Sequence, residues 1–186
     1  MSPALWTVLG AAALLLIWLL GTFNGLVRLR QHIRESWHGI DIQLKRRYDL
    51  IPNLVETVKG YAKHERELLE RLVAARARAA ANQGPVKSQE ADERPVVTSL
   101  RQVLALQESY PDLKADRNFL ALQEELVDAE DRIAAARRFF NGNVRDYNSR
   151  CQSIPSSLVA GLFGFRPESF WEVEEASQRQ RPDVRY

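Results

Sequence analysis

Two patterns of apolar residues succeed one another along this chain. From Ala4 to Phe23 the run ALWTVLGAAALLLIWLLGTF carries no charge, and about twenty such residues are what an α-helix needs to cross the hydrocarbon core of a bilayer. Beyond it the apolar residues become periodic. Leu26, Ile33, Trp37, Ile40, Leu44 and Tyr48 fall three, four or seven apart, with Arg30, Glu35, Asp41 and Arg46 off the stripe, as on one face of a helix. Leu54, Val58, Tyr61, Leu68, Leu72, Ala75 and Ala79 form a second stripe, and Val96, Leu100, Val103, Leu104 and Gln107 a third. The fourth is the longest: Phe119, Leu122, Leu126, Ala129, Ile133, Ala136, Phe140, Val144 and Tyr147 keep a 3-4 alternation that demands a facing partner.

Nothing alternates with period two, so the predicted fold is all-α. A transmembrane anchor covers 1–25, and a long antiparallel four-helix up-and-down bundle covers 26–152, with helices at about 26–48, 52–82, 90–109 and 115–150. Residues 153–186 form an apolar tail and a polar C-terminus. Breaks are expected at Tyr48-Asp49-Leu50-Ile51-Pro52, at Asn82-Gln83-Gly84-Pro85 and at Tyr110-Pro111-Asp112. Pro52 has no N–H to donate and biases Ile51 away from the α region, so it is assigned to the first turn of helix two. The alternative is one long helix kinked at Pro52.

This layout returns the chain to the membrane twice, placing the 82–95 loop and everything after Ser149 at the near end. The tail is too apolar to stand in water. Phe163, Phe165, Phe170 and Trp171 are expected to meet the bilayer interface or a neighbouring subunit, the alternative being a tail folded back onto its own bundle. Arg28, Arg30, Arg76 and Arg78 are expected beside them, where anionic lipid is their natural partner.

Charge fixes the orientation. None of the 26 basic and 24 acidic residues precedes Arg28, whereas Arg28, Arg30 and Arg34 follow the span closely. The excess of arginine on that side predicts a single-pass protein with its N-terminus outside and its bundle in the cytoplasm. A cleaved signal peptide fits less well, because no basic region precedes the span and no small-x-small site follows Leu20. The single cysteine, Cys151, allows no intrachain disulfide.

Candidate chemistry is sparse. Glu35-Ser36-Trp37-His38 has the Glu-x-x-His spacing of di-iron bundles, but those sites need two such pairs and no second one exists. Glu124, Glu125, Asp128, Glu130 and Asp131 are spread by helical spacing over solvent faces. His32, His38 and His64 share no i,i+4 spacing. Gly161-Leu162-Phe163-Gly164 lacks the following lysine of a phosphate loop. Lys45-Arg46-Arg47 is diluted by Asp41, Asp49 and Glu56, so nucleic acid is not an expected partner. No enzyme, metal or cofactor is expected.

Four strings resemble the LemA family of bacterial membrane proteins: DIQLKRRYDLIPNLVETVKGYAKHE, SYPDLKADRNFLALQEEL, AARRFFNGNVRDYNS and IPSSLVAGLFGF. The resemblance covers nearly the whole chain. It implies a single transmembrane helix in the bacterial inner membrane, a small external N-terminus and a bundle of the bromodomain-like type, and brings no catalytic residues. A relative implicated in building the magnetosome membrane hints, by analogy, at membrane organisation.

The expected function is therefore a non-enzymatic, membrane-anchored scaffold that self-associates as a homo-oligomer and organises membrane or recruits a protein partner. The alternative is an adaptor or regulatory subunit of a membrane enzyme such as a protease. Its partner would bind a far corner made of Tyr48, Asp49, Pro52 and Asn53 together with Tyr110, Pro111 and Asp112, since a simple turn would accept many sequences.

Overall fold

A computed structural model describes residues 3–172. Every regular element among them is helical: α1 (Pro3–Tyr61), α2 (Arg66–Ala81), α3 (Val86–Ala105) with a 3₁₀ turn after it (Leu106–Glu108), α4 (Pro111–Ala115), α5 (Arg117–Gln152) and α6 (Ser156–Leu162). The predicted polar C-terminus, residues 173–186, lies outside the described residues.

The first finding corrects the predicted corner. Helix α1 does not stop at Tyr48 but continues through Pro52 to Tyr61, giving a rod of 59 residues and, at 1.5 Å per residue, ~88 Å in length. A proline inside a helix leaves the carbonyl four residues earlier without its donor, and here that carbonyl belongs to Tyr48. The Arg76 guanidinium of α2 supplies the missing donor, its Nε bonding the Tyr48 carbonyl oxygen at 3.0 Å. The reversal comes thirteen residues later, at Ala62–Glu65, where the Ala62 carbonyl accepts from the Glu65 amide at 3.1 Å.

Helices α1 and α5 run antiparallel along their shared length. Tyr61 meets Asp116, Arg47 meets Glu130, and the carbonyl of His32 meets Asn143, so each step up one helix is a step down the other. Their core is a heptad ladder, with Leu26, Ile33, Ile40 and Leu54 of α1 and Leu126, Ile133, Phe140 and Tyr147 of α5 all buried. The start of α5 is fixed by Asp116, whose carboxylate accepts from the Phe119 amide at 2.8 Å, a side-chain N-cap. That bond, with a second from the Tyr61 hydroxyl, holds the Asp116 carboxyl below its usual range.

The α2–α3 hairpin is short, with helices of 16 and 20 residues against the 36 of α5, and it covers only the upper part of the α1–α5 pair. Its tip at Asn82–Gly84 shares a groove with Trp37 and Asp41, ~21 Å or more above Phe23 by helical rise. Below the hairpin the C-terminal segment takes over. Helix α6 packs Val159 and Ala160 inward and ends in a Schellman turn, with Phe165 N donating to Ala160 O at 2.9 Å and Gly164 at φ 71°, a conformation that favours glycine. An extended strap, residues 165–172, then climbs the α1–α5 face until the Glu172 amide reaches the Glu90 carboxylate at 3.2 Å.

Candidate functional site: a buried ion cluster above a clamped strap

The Lys-Arg-Arg-Tyr-Asp run sits in the last third of α1, and its third member continues the heptad register of Leu26, Ile33, Ile40 and Leu54. Arg47 is 1% exposed. Its two terminal nitrogens reach different helices, one to Glu93 of α3 and one to Glu130 Oε1 of α5 at 2.6 Å. Tyr48 donates its hydroxyl to the other Glu93 oxygen, and the Gln89 amide donates to the Tyr48 hydroxyl at 3.3 Å and to the Ala79 carbonyl at 3.1 Å. One level of the rod thus ties α1, α2, α3 and α5 together.

A guanidinium removed from water survives only where carboxylates meet it with good geometry. Burial alone would push Arg47 down, but Glu93 and Glu130 outweigh it and hold the guanidinium above its ordinary value. Burial, and then the Glu93 carboxylate, push the Tyr48 phenol well above its ordinary range, so it stays protonated. The cluster is one guanidinium between two carboxylates, with a neutral phenol beside it. That arrangement sets register, and both Arg47 and Tyr48 are held in their protonated forms.

A second constellation holds the strap. The Asn148 side chain donates to the Glu168 carbonyl at 2.9 Å and accepts from the Glu168 amide at 2.8 Å. Seven residues earlier, Asn141 does the same to Trp171, at 2.8 and 2.9 Å. Two asparagines on one helix face therefore hydrogen-bond an extended backbone as a neighbouring strand would. Trp171 is 3% exposed, its ring 5.4 Å from that of Trp37 and capped by Arg137 at 5.7 Å. Glu168 adds an ion pair to Arg30 at 3.8 Å.

These contacts redistribute the predicted site residues. Tyr48 and Asp49 line a mid-rod groove with Arg76 and Gln89, while Pro52 and Asn53 are exposed along the helix. Tyr110 joins the true turn through a 3.2 Å bond to Glu65, beside Pro111 and Asp112. The seven do not form one corner. Arg28 and Arg30 lie within two turns of Phe23, whereas Arg76 is occupied by the Tyr48 carbonyl and Arg78 by Asp92 at 3.1 Å. Both lie ~30 Å or more up the rod, because the hairpin is too short to return to its foot. The tail turns back onto its own bundle at Trp171 and, in part, at Phe165, while Phe163 and Phe170 remain half-exposed.

Glu93, Gln89, Asn141 and Asn148 were not among the predicted site residues. Their signals are present, however. Counting back from Val103, Leu100 and Val96, the α3 stripe reaches Glu93 and Gln89 at 3-4 spacing, and Arg47 occupies a heptad position otherwise aliphatic. Cys151 and Tyr147 face one another a turn apart. Burial pushes both up, the phenol to about 12.

Comparison with known proteins places the sequence among relatives. The LemA family matches residues 36–186. Protein LemA of Metamycoplasma hominis is 27% identical over 165 residues, 88% of this chain and 74% of that protein. Magnetosome protein MamQ of Magnetospirillum gryphiswaldense is 30% identical over 78 residues, 42% of this chain and 29% of the relative. Magnetosome protein MamQ 2 of Paramagnetospirillum magneticum is 27% identical over a stretch of the same length. With the family pattern running from the middle of α1 through the ion cluster, both asparagine clamps and the strap, the chain belongs to the LemA family.

Proposed function

We propose that this chain is a single-pass, non-enzymatic membrane scaffold: Ala4–Phe23 crosses the bacterial inner membrane with the N-terminus outside, and a four-helix up-and-down bundle of bromodomain-like type stands in the cytoplasm, self-associates and organises membrane or recruits partners. The observation that carries the proposal is the continuity of α1. Its first turns leave Leu14, Leu15 and Ile17 exposed, and the same unbroken helix buries Leu26, Ile40 and Leu54 in the core. A stiff junction of this kind transmits the orientation of the span to the whole rod.

Light scattering on the detergent-solubilised full chain tests self-association. A mass of several copies is the expected result, and a single copy at all concentrations overturns the scaffold. One feature favours the adaptor reading. At the far end, α1 and α2 leave an apolar groove of about 650 Å³ lined by Val55, Leu69 and Val73, with Lys59, Lys63 and Arg66 on its rim. Crosslinks from residues 110–117 to one stoichiometric foreign protein would establish that alternative.

A further inference from the structure

Helix α6 buries one side and leaves the other bare. Ser156, Val159 and Ala160 face inward, whereas Leu158 and Leu162, four residues apart, are 71% and 73% exposed, and Ile154, just before the helix, is 87% exposed. Their height on the rod is fixed by rings and by a groove. Phe163 stacks edge-on against Phe23 at 4.9 Å and Phe165 does so at 5.5 Å. Ile154, Pro155 and Ser156 line a cleft with Trp18 and Thr22. The bare face of α6 therefore lies level with the last turns of the apolar span, where Trp18 and Leu20 are themselves exposed.

We infer that α6 is an interfacial foot, and that Ile154, Leu158 and Leu162, with Phe163 at their end, are seated in the acyl–headgroup boundary of the bilayer that receives the span. The inference rests on the membrane-spanning reading of Ala4–Phe23. Whatever surrounds Trp18 and Leu20 also surrounds α6, and three aliphatic side chains this exposed are favoured where that medium is apolar. Arg28, Arg150 and Arg166 are exposed on the elements meeting there, within reach of anionic headgroups. The lipid contact is thus made by residues other than most of the aromatic ones: Trp171 is clamped ~21 Å higher, beside Trp37. With two attachments to the bilayer, span and foot, the rod cannot tilt freely against the membrane.

Depth-dependent quenching tests this in the full chain reconstituted into phosphatidylcholine–phosphatidylglycerol vesicles. Single cysteines are introduced into a Cys151→Ala background at Leu158, Leu162, Leu14 and Glu108, and each carries a bimane label. Labels at 158 and 162 should be quenched by lipids brominated on the acyl chain, as at 14, and should resist aqueous iodide several-fold better than at 108. Quenching at 14 with full iodide access at 158 and 162 overturns the foot and leaves the span standing. Shielding from iodide without quenching by brominated lipid means that protein covers the face, and overturns it too. Loss of lipid quenching at 14 as well removes the spanning reading and the inference with it.

Discussion

Arg47 is the residue on which the interior depends most. A buried charge contributes little net stability while paired, but removing one partner strands the others. Arg47→Met should therefore cost about 3–5 kcal/mol in urea unfolding, because it leaves the Glu93 carboxylate buried without its cation. Adding Glu93→Met should recover part of that loss, since no fully buried carboxylate then lacks its cation, while the Tyr48 hydroxyl loses its acceptor. A double variant as unstable as the single one would show that a stranded Glu93 carboxylate is not the source of the loss. Pro52 and Arg76 make a second linked pair. Arg76→Met should cost ~1–3 kcal/mol by orphaning the Tyr48 carbonyl. In a Pro52→Ala background the new amide of residue 52 serves that carbonyl, so the same substitution should cost about 1 kcal/mol less. A double-mutant cycle on melting reads the coupling, and additivity would refute the link.

At the level of elements, the existence and phase of the long helices were legible in the apolar spacing, and their ends were not. The stripe on α5 was read to within a few residues, because hydrophobic period and a capping Asp116 agree there. Helix α1 was cut short because proline propensity is a local rule, and a tertiary donor twenty-four residues away overrode it. Helix α3 begins at Val86 instead of residue 90, since its first turns carry core positions filled by Gln89 and Glu93, which composition alone reads as loop. The strap was unreadable for a related reason: Asn141 and Asn148 have no apolar signature, and their partners are backbone groups of an extended segment. Their role is separable from folding of the rod. Asn148→Ala removes two hydrogen bonds, ~1–3 kcal/mol in total, which corresponds to exchange of the Glu168 amide roughly 10- to 100-fold faster. Amides of the α1–α5 core should keep their protection. Equal acceleration in the core would mean that the strap is part of the global folding unit.

Over the whole molecule, each level of the rod has a different lateral partner: medium around the exposed span, α6 and the strap above it, the ion cluster where the hairpin begins, and the Ala62–Glu65 turn at the end. The one element present at every level is α1, so its direction sets that of everything else. The sequence bears on this direction through a single asymmetry, in which no charge precedes the span and Arg28, Arg30 and Arg34 follow it. Arginine-rich flanks are retained in the cytoplasm, so the proposed orientation, rod inside and residue 2 outside, makes a direct prediction. In a Cys151→Ala background, Ser2→Cys should react with a membrane-impermeant maleimide in intact spheroplasts, and Glu108→Cys only after the membrane is broken. Replacing Arg28, Arg30 and Arg34 with glutamine should weaken that bias and give a mixed population, because the arginines, and not the hydrophobic run, encode the direction. If the two positions label in the reverse order, the rod stands on the other side of the membrane, and every cytoplasmic partner proposed for it is excluded.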